Sequence, residues 1–161
     1  MNDVRIRPAE PGDATAIADV FIASFGTLTF LPKLHTDEDT VDFITSTVLP
    51  QDEVVVAEVD GRIVGFVAMS SGGDLIELLY VHPDLQRRGI GGALLERAKA
   101  RMPDGFRLWV FQANAGARRF YERHGLRIVK LTDGAANEEK TPDALYEWTP
   151  DVGGERSADA P

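Results

Sequence analysis

The sequence predicts a mixed α/β domain with a mostly antiparallel central sheet of about seven strands and four helices. Three observations lead to this fold class. Apolar segments are joined by a two-residue turn at Asp60–Gly61, helical apolar stripes occur in both halves of the chain, and a glycine-rich loop leads from a strand into a helix. A chain of 161 residues suits one domain, which we assign to residues 1–150. We predict that the small, polar residues 151–161 form a flexible tail.

In the first third of the chain, one short strand is followed by two helices. Val4–Ala9 alternates and reads as the strand. Asp13 is a plausible N-cap for a first helix, which ends before Gly26. Thr36 is a plausible N-cap for a second helix, which ends near Pro50.

The remaining segments alternate between strands and helices. Asp60–Gly61 favours positive φ and joins two strands into a hairpin. The segment Leu75–Phe111 reads strand, loop, helix, strand, which predicts a parallel crossover. A helix over Ala115–His124 and two last strands, joined by the polar loop "TDGAANEEKTP", complete the order.

Composition excludes several function classes. The net charge of −9 argues against broad binding of nucleic acids or anionic membranes. The chain has no cysteine, which excludes disulfides and thiolate metal sites, and its three histidines are too scattered for a zinc site, so we expect no metal. It has no apolar run long enough to cross a bilayer. The N-terminus lacks a signal-peptide pattern, so we expect a cytoplasmic protein.

The loop "QRRGIGG" precedes an amphipathic helix, and this arrangement predicts an anion site. The first N–H groups of a helix have no partner within the helix, and phosphate is their usual ligand. Gly89 and Gly91 remove side chains from the path of approach, while Arg87 or Arg88 adds charge-assisted hydrogen bonds.

Three phosphate-binding motifs compete for this loop. A P-loop needs Gly-Lys-Ser/Thr, which does not occur in the chain. A dinucleotide fingerprint needs a third glycine where Leu94 stands. The pyrophosphate pattern Q/R-x-x-G-x-G/A fits with Gln86, Gly89 and Gly91.

Two longer stretches, "LLYVHPDLQRRGIGGALLERA" and "FQANAGARRFYERHGL", resemble the GCN5-related N-acetyltransferase (GNAT) family. The resemblance spans roughly Val4 to Trp148. It implies an enzyme that moves the acetyl group of acetyl-CoA to a primary amine by direct attack in a ternary complex. It also implies that the strand before the loop splays away from its parallel neighbour at the cofactor site.

The resemblance places the cofactor on three parts of the chain. The exposed backbone of Leu79, Tyr80 and Val81 would pair with the pantetheine amides, as a peptide-like arm extends a sheet edge. Asn114 would contact the cofactor arm, or cap the helix that follows, or do both. The pyrophosphate would lie against the backbone of Arg87, Arg88, Gly89, Ile90, Gly91 and Gly92.

Two residues carry the predicted catalysis. Tyr121 resembles the family's general acid, which protonates the departing thiolate; the alternative is that Tyr121 packs as core. Glu77 interrupts an apolar strand and is the candidate base, acting directly or through water. Its even spacing from Leu79 and Val81 would put all three side chains on one sheet face. Glu77 as a solvated or substrate-binding carboxylate, and His82 as a weaker base, remain open.

The acceptor is not defined by any motif. We expect its walls to come from "TLTFLPKLHTD" and "TDGAANEEKTPD", with Phe30 and Glu138 as substrate-binding candidates. Acidic loops favour a cationic acceptor such as a small polyamine, an amino sugar or a basic peptide, although an acidic solvated loop explains them equally well.

Two other functions compete with the transferase. One is a non-catalytic acyl-CoA-binding sensor with the same fold, which would need neither Tyr121 nor Glu77. The other is a nucleotide-phosphate binder, which the glycine spacing and the missing lysine disfavour. A homodimer stays open, since such folds often dimerise.

Overall fold

Seven strands form two sheets in the computed structural model, which describes residues 3–86 and 88–150. The predicted tail and Arg87 therefore lie outside the described residues. The first sheet has the order β1–β2–β3–β4 and consists of β1 (Val4–Pro8), β2 (Asp52–Val59), β3 (Arg62–Ser70) and β4 (Ile76–Val81). The second has the order β5–β7–β6 and consists of β5 (Phe106–Phe111), β6 (Arg127–Leu131) and β7 (Asp143–Trp148). Neighbours within each sheet are antiparallel.

Four longer helical runs and two short 3-10 helices, at Pro11–Asp13 and Pro83–Leu85, complete the described fold, which confirms the predicted class. The longer runs are α1 (Ala14–Phe25), a run that begins as α2 (Asp37–Phe43), passes through a π-helical turn at Ile44–Val48 and ends as α3 (Leu49–Gln51), then α4 (Ile90–Arg101) and α5 (Ala115–Arg123). The second run ends one residue beyond Pro50, close to the predicted boundary.

The two sheets meet at one point. Leu75 and Arg107 form a parallel bridge, and the Arg107 N–H donates to the Asp74 carbonyl over 2.8 Å. Beyond this bridge, β4 and β5 are not paired within the part of the chain that the structure describes. The predicted splayed parallel pair is confirmed, and it leaves a gap between the two strands.

Two apolar clusters cover the two faces of the first sheet. One lies between the sheets and the helices α4 and α5, where Leu94, Phe106 and Tyr146 are fully buried. The other lies under α1 and the second helical run, where Ile17 and Phe66 are fully buried. Each such side chain contributes about 1.5–3 kcal/mol to folding relative to exposure. Together these layers fix the edge of β4 from both sides.

The predicted N-caps differ in outcome. Thr36 caps α2 as predicted: its hydroxyl accepts from the Asp39 N–H at 3.0 Å, and the Asp39 carboxylate accepts from the Thr36 N–H at 2.9 Å. Asp13 stands at the predicted N-cap position of α1, but its side chain makes no capping hydrogen bond there. Its carboxylate accepts instead from the Glu10 N–H and from Arg7, which ties the turn before α1 to β1.

Within residues 3–86 and 88–150, no helix is both long enough and apolar enough to span a bilayer. The cytoplasmic location, the domain limits and a homodimer stay predictions.

Arg7 is expected to stabilise the fold through two carboxylates. Its guanidinium donates to Asp13 over 2.8 Å and to Glu58 over 2.9 Å, and all three side chains are largely buried. The bond from Arg7 holds the pKa of Asp13 below its usual value. Arg7→Ala leaves both carboxylates without this partner, so we expect a loss of roughly 2 kcal/mol in the free energy of unfolding at neutral pH, measured by urea denaturation.

The pH dependence of this loss follows from the lowered pKa of Asp13. The stabilisation is present above the unfolded-state pKa of about 4 and disappears as pH falls through the lower folded-state pKa. The gap between wild type and Arg7→Ala therefore narrows in acid. Arg127→Ala is the control, since that guanidinium is exposed and its loss costs less than about 1 kcal/mol. Equal losses in the two variants would contradict the assignment.

Candidate functional site

The edge of β4 presents main-chain groups to the gap. The His82 N–H donates to the Val64 carbonyl at 2.8 Å, and the antiparallel register pairs Phe66 with Tyr80 and Val67 with Leu79. Hydrogen-bonded and non-bonded pairs alternate along an antiparallel ladder. Because His82 belongs to a bonded pair, the main chain of Tyr80, two residues earlier, also forms hydrogen bonds with β3. The main-chain groups of Leu79 and Val81 point the other way, toward the gap.

The carbonyl of Val81 is held by two side chains. The Ser24 hydroxyl donates to it over 2.6 Å, and the Gln86 amide donates to it over 3.0 Å. Apart from the tyrosines, Ser24 is the one polar residue among the described positions that is almost completely buried, at 5% exposed. The Val81 carbonyl oxygen therefore connects α1, the end of β4 and the start of the glycine loop. The sequence motif of the loop includes Gln86, but no sequence pattern predicts the hydrogen bond from Gln86 to Val81.

The loop enters α4 through a left-handed residue. Gly89 has φ of +82°, which disfavours any residue with a Cβ, and no atom lies within 4 Å of the place where a Cβ would stand. The first bond that involves the helix runs from the Ala93 N–H to the Gly89 carbonyl. The helix therefore offers no acceptor to the N–H groups of Ile90, Gly91 and Gly92, and this end is suited to an anion. Arg88 is exposed beside it.

Gly91 and Gly92 also serve packing. A Cβ on Gly91 would stand 3.1 Å from the ring of Phe120, and one on Gly92 would stand 3.2 Å from the ring of His124. Both rings belong to α5 or its end. The sequence suggested that Gly89 and Gly91 both leave room for an anion to approach, but of these two only Gly89 faces open space. The missing side chain of Gly91 instead allows α5 to pack against α4.

Asn114 follows β5 and caps α5. Its side-chain oxygen accepts from the Ala117 N–H at 3.2 Å. The capping interpretation is confirmed, and a contact with a cofactor arm stays a prediction. His82 serves a turn as well, since its Nδ1 accepts from the Asp84 N–H at 3.2 Å.

Tyr121 is a core residue whose hydroxyl is not enclosed. Its ring packs edge-on against Phe120, with 5.1 Å between ring centroids, and the residue is only 7% exposed. No hydrogen bond to its hydroxyl is found among the described residues, where every fully buried polar side-chain atom has a partner. The Tyr121 oxygen therefore has access to solvent space. Burial, together with the nearby Tyr80 phenol, raises its pKa well above the usual value.

Tyr80 reaches the same region from the other face of the sheet. Its ring lies 4.9 Å from that of Phe21 on α1 and 6.0 Å from that of Phe66. Burial, with a smaller effect from the Glu139 charge, raises its pKa to about 12. The sequence gave Tyr80 only a main-chain role, whereas its phenol interacts electrostatically with both Tyr121 and Glu139.

Glu77 lies at an irregularity in β4. The register pairs Met69 with Ile76 and Ala68 with Leu78, so Glu77 is the extra residue of a β-bulge. The prediction of a regular strand here is wrong, and even spacing does not place Glu77 on the face of Leu79 and Val81. The side chain is exposed. Partial desolvation, and then the charge of Asp52, raise the pKa of its carboxyl.

A cavity of about 900 Å³ lies on the α1 side of the molecule. Its walls are α1, the segment between α1 and α2, the first part of the second helical run, and the loop before β7. These include both segments that the sequence indicated. His35 Nε2 lies 2.7 Å from Glu138 Oε2, which joins the two walls. We call this space the front cavity.

The structure brings together some of the predicted substrate residues and not others. Glu138 lines the front cavity. Phe30 is not among its described lining residues; its ring packs edge-on against that of Phe111, with 6.1 Å between centroids. Glu139, which is half-buried, lines the cavity and interacts with Tyr80. The sequence alone could not show that Glu139, rather than its exposed neighbour Glu138, is the glutamate closer to the core.

Comparison with known proteins agrees with this geometry. Residues 50–127 match the model of the family described as an acetyltransferase (GNAT) domain. The peptidyl-lysine N-acetyltransferase YiaC of Escherichia coli is 29% identical over 143 residues, which cover 89% of this chain and 95% of that protein.

Solved structures share the fold. The apo form of YjaB from Escherichia coli superposes with a TM-score of 0.75 at 22% identity, covering 92% of this chain and 99% of that one. The PaiA N-acetyltransferase of Thermoplasma acidophilum, in complex with coenzyme A, gives a TM-score of 0.73 at 19% identity, covering 91% and 99%.

An open strand edge and a glycine turn into a helix N-terminus are suited to a ligand that carries both amides and an anionic group. Residues 50–127, just under half of the chain, resemble the GCN5-related N-acetyltransferase family, and over most of its length the chain is similar to an N-acetyltransferase, which indicates an acyltransferase. Among the described residues, no group of three or more side chains could hold a metal ion, and the absence of a metal stays a prediction.

The three tyrosines of the chain provide a test of the site's burial. The pKa of Tyr80 is raised to about 12, and those of Tyr121 and Tyr146 are also raised, in each case mainly by burial. We expect ultraviolet titration of the folded protein to show no phenolate near pH 10, where exposed tyrosines ionise. The denatured protein should show all three ionising near that pH.

The same shifts set a stability trend. Since the folded protein keeps these protons longer than the unfolded chain, the free energy of unfolding falls as pH rises above about 10. A phenol that ionises near pH 10 in the folded protein would contradict the burial described for that residue.

Proposed function

We propose that the chain is an acetyl-CoA-dependent N-acetyltransferase in which a primary amine attacks the thioester directly. The observation that carries this proposal is the edge of β4, where the main-chain groups of Leu79 and Val81 face a gap beside the N-terminus of α4. A long ligand with amides in one part and a diphosphate in another matches that sequence of donors and acceptors. PaiA, which shares the fold, was solved with coenzyme A.

The residues at this edge fit the cofactor. Leu79 and Val81 would bind the pantetheine amides in the manner of an added strand. The N–H groups from Gly89 to Gly92 would bind the diphosphate, with Arg88 supplying charge. The open space at Gly89 supports this, because no described atom lies within 4 Å of the place where its Cβ would stand. Arg87, which lies outside the described residues, keeps its predicted role, and Asn114 would contact the arm beside its cap.

Bound acetyl-CoA would supply an activated thioester. The N–H of Leu79 or Val81 would polarise its carbonyl, since both groups point into the gap. Rigid placement of the amine against this carbonyl would contribute much of the rate, because it removes the entropy of encounter.

Tyr121 is the proposed general acid. Its raised pKa keeps the phenol protonated at neutral pH, so the proton is available to the departing sulfur. The accessible hydroxyl oxygen on an otherwise buried residue supports this role over packing alone.

Glu77 is the proposed base, and its exposure favours action through water. An amine must lose a proton before or during attack, and a carboxyl with a raised pKa is a better acceptor at neutral pH. The name of YiaC, a peptidyl-lysine N-acetyltransferase, makes a lysine side chain a reasonable acceptor for this chain too.

Removal of the Tyr121 hydroxyl tests the proposed general acid. Tyr121→Phe should lower kcat by roughly 100-fold or more while acetyl-CoA affinity, measured by calorimetry, stays unchanged. Activity is followed by thiol release over an amine panel. Tyr146→Phe is the matched control, because that buried phenol donates to Glu122 at 2.6 Å and has a structural role.

The outcome also separates the enzyme from a sensor. Acetyl-CoA binding without turnover by the wild type on any amine would favour the non-catalytic reading. Full activity in Tyr121→Phe would remove the phenol from the mechanism.

The base is tested by pH. We expect the acid limb of kcat/KM to lie above the ordinary glutamate pKa of about 4.3, because Glu77 must be ionised to act and its pKa is raised. Asp52→Asn removes a charge that disfavours this ionisation, so the limb should move to lower pH. Glu77→Gln should abolish the limb and lower kcat/KM.

Glu96→Gln is the control for that series, since this exposed carboxylate lies on α4 away from β4. Glu77 would be excluded as the base if Asp52→Asn did not shift the acid limb of kcat/KM, or if that limb persisted in Glu77→Gln.

A further inference from the structure

The front cavity carries a strong charge imbalance. One lysine, Lys33, is found among its described lining residues, and it is paired with Asp37 at 2.8 Å. Asp39 accepts from the Thr36 N–H, which lowers its pKa and keeps it ionised at neutral pH. The carboxylates that line the cavity are Asp37, Asp39, Asp42, Glu138 and Glu139.

Apolar side chains cover the wall between these acids. Phe21 and Phe25 lie one turn apart on α1 with stacked rings, 5.5 Å between centroids. Leu28, Leu31 and Phe43 line the same space. A surface of this kind is complementary to methylene groups, whereas a sugar or another highly hydroxylated acceptor would meet few polar partners on it.

One end of the cavity lies next to the proposed reaction centre. Phe21 lines the cavity and contacts Tyr80, whose chain neighbours Leu79 and Val81 face the gap. Glu139 lines the cavity on the opposite wall and is half-buried. Glu139 is the carboxylate of this lining that raises the pKa of Tyr80, whereas Asp39 and Asp42 belong to α2. Negative charge is therefore found both beside Tyr80 and on the α2 wall of the same apolar surface.

We infer that the acceptor is an alkylammonium chain that carries a second cationic group. Glu139 binds the ammonium that reacts, the phenylalanine and leucine side chains pack against the methylenes, and Asp39 and Asp42 bind the second cation. This inference rests on the proposed acetyl transfer. Two sources supply this chemistry, a free polyamine and a lysine side chain next to another basic residue in a peptide.

The test compares acceptors of matched length in the thiol-release assay. At low salt, α,ω-diaminoalkanes should give kcat/KM values roughly fivefold or more above those of the alkylamines with the same carbon number. Added salt should shrink this ratio, because the second cation binds by charge. In a second arm, blocked peptides with lysine beside arginine should exceed those with lysine beside glutamate. A preference for the acceptor with the second cation in either arm supports the inference. The arm with the larger preference identifies whether the acceptor is a free polyamine or a lysine in a peptide.

Variants connect the preference to named residues. Asp42→Asn should lower kcat/KM for the diamine roughly fivefold more than for the alkylamine, whereas Glu139→Gln should lower both. Asp104→Asn, which removes an exposed carboxylate outside the cavity lining, should change neither.

The outcomes separate this inference from the function on which it rests. Transfer to alkylamines with no preference for a second cation, or a preference that Asp42→Asn leaves unchanged, overturns the inference and leaves the transferase in place. No transfer to any amine, with no thermal shift on adding acetyl-CoA, overturns both.

Discussion

The separation of β4 from β5 is the constraint on which the site depends. An unpaired strand edge in the middle of a molecule leaves donors and acceptors without partners, which folded proteins avoid. Here the strands part after the single bridge between Leu75 and Arg107. The carbonyl of Val81 is satisfied by Ser24 and Gln86, so the edge is partly paired by side chains. What stays open along Leu79 and Val81 is available to a ligand.

Titratable groups from opposite faces of the first sheet interact with one another. Tyr121 comes from α5, which covers one face, and Tyr80 packs with α1 on the other. The two phenols interact electrostatically, and Glu139 acts on Tyr80 from the cavity side. A site arranged in this way can place a protonated phenol near the departing sulfur and negative charge near the incoming amine. Neither helix layer alone would do so.

The sequence was most informative where local chemistry decides the structure. Asp60–Gly61 needs positive φ and forms the predicted turn, and Thr36 and Asn114 cap helices through their own backbone neighbours. It was least informative where tertiary contacts decide. The bulge at Glu77 depends on how β3 pairs with β4, and strand alternation contains no sign of it. The Asp13 carboxylate is taken by Arg7, a competition that local cap preferences do not include.

For the site too, the sequence predicted what local motifs determine and not what tertiary contacts determine. The glycine turn and the strand before it were readable because their motif is continuous in the chain. Ser24 and Glu139 were missed as site residues, since each acts on β4 across more than 50 positions of sequence. One signal did exist for Ser24. It continues the apolar stripe of Ile17 and Val20 on α1, where a lone hydroxyl needs a partner within the core.

The ring of Phe120 lies so close over Gly91 that the glycine turn and α5 pack directly against each other. Tyr121 is the next residue after Phe120, so a bulkier side chain at position 91 would displace the phenol as well as the turn. On the mechanism proposed above, such a substitution would weaken binding of the cofactor diphosphate and protonation of its sulfur together, although position 91 would touch neither group through a side chain.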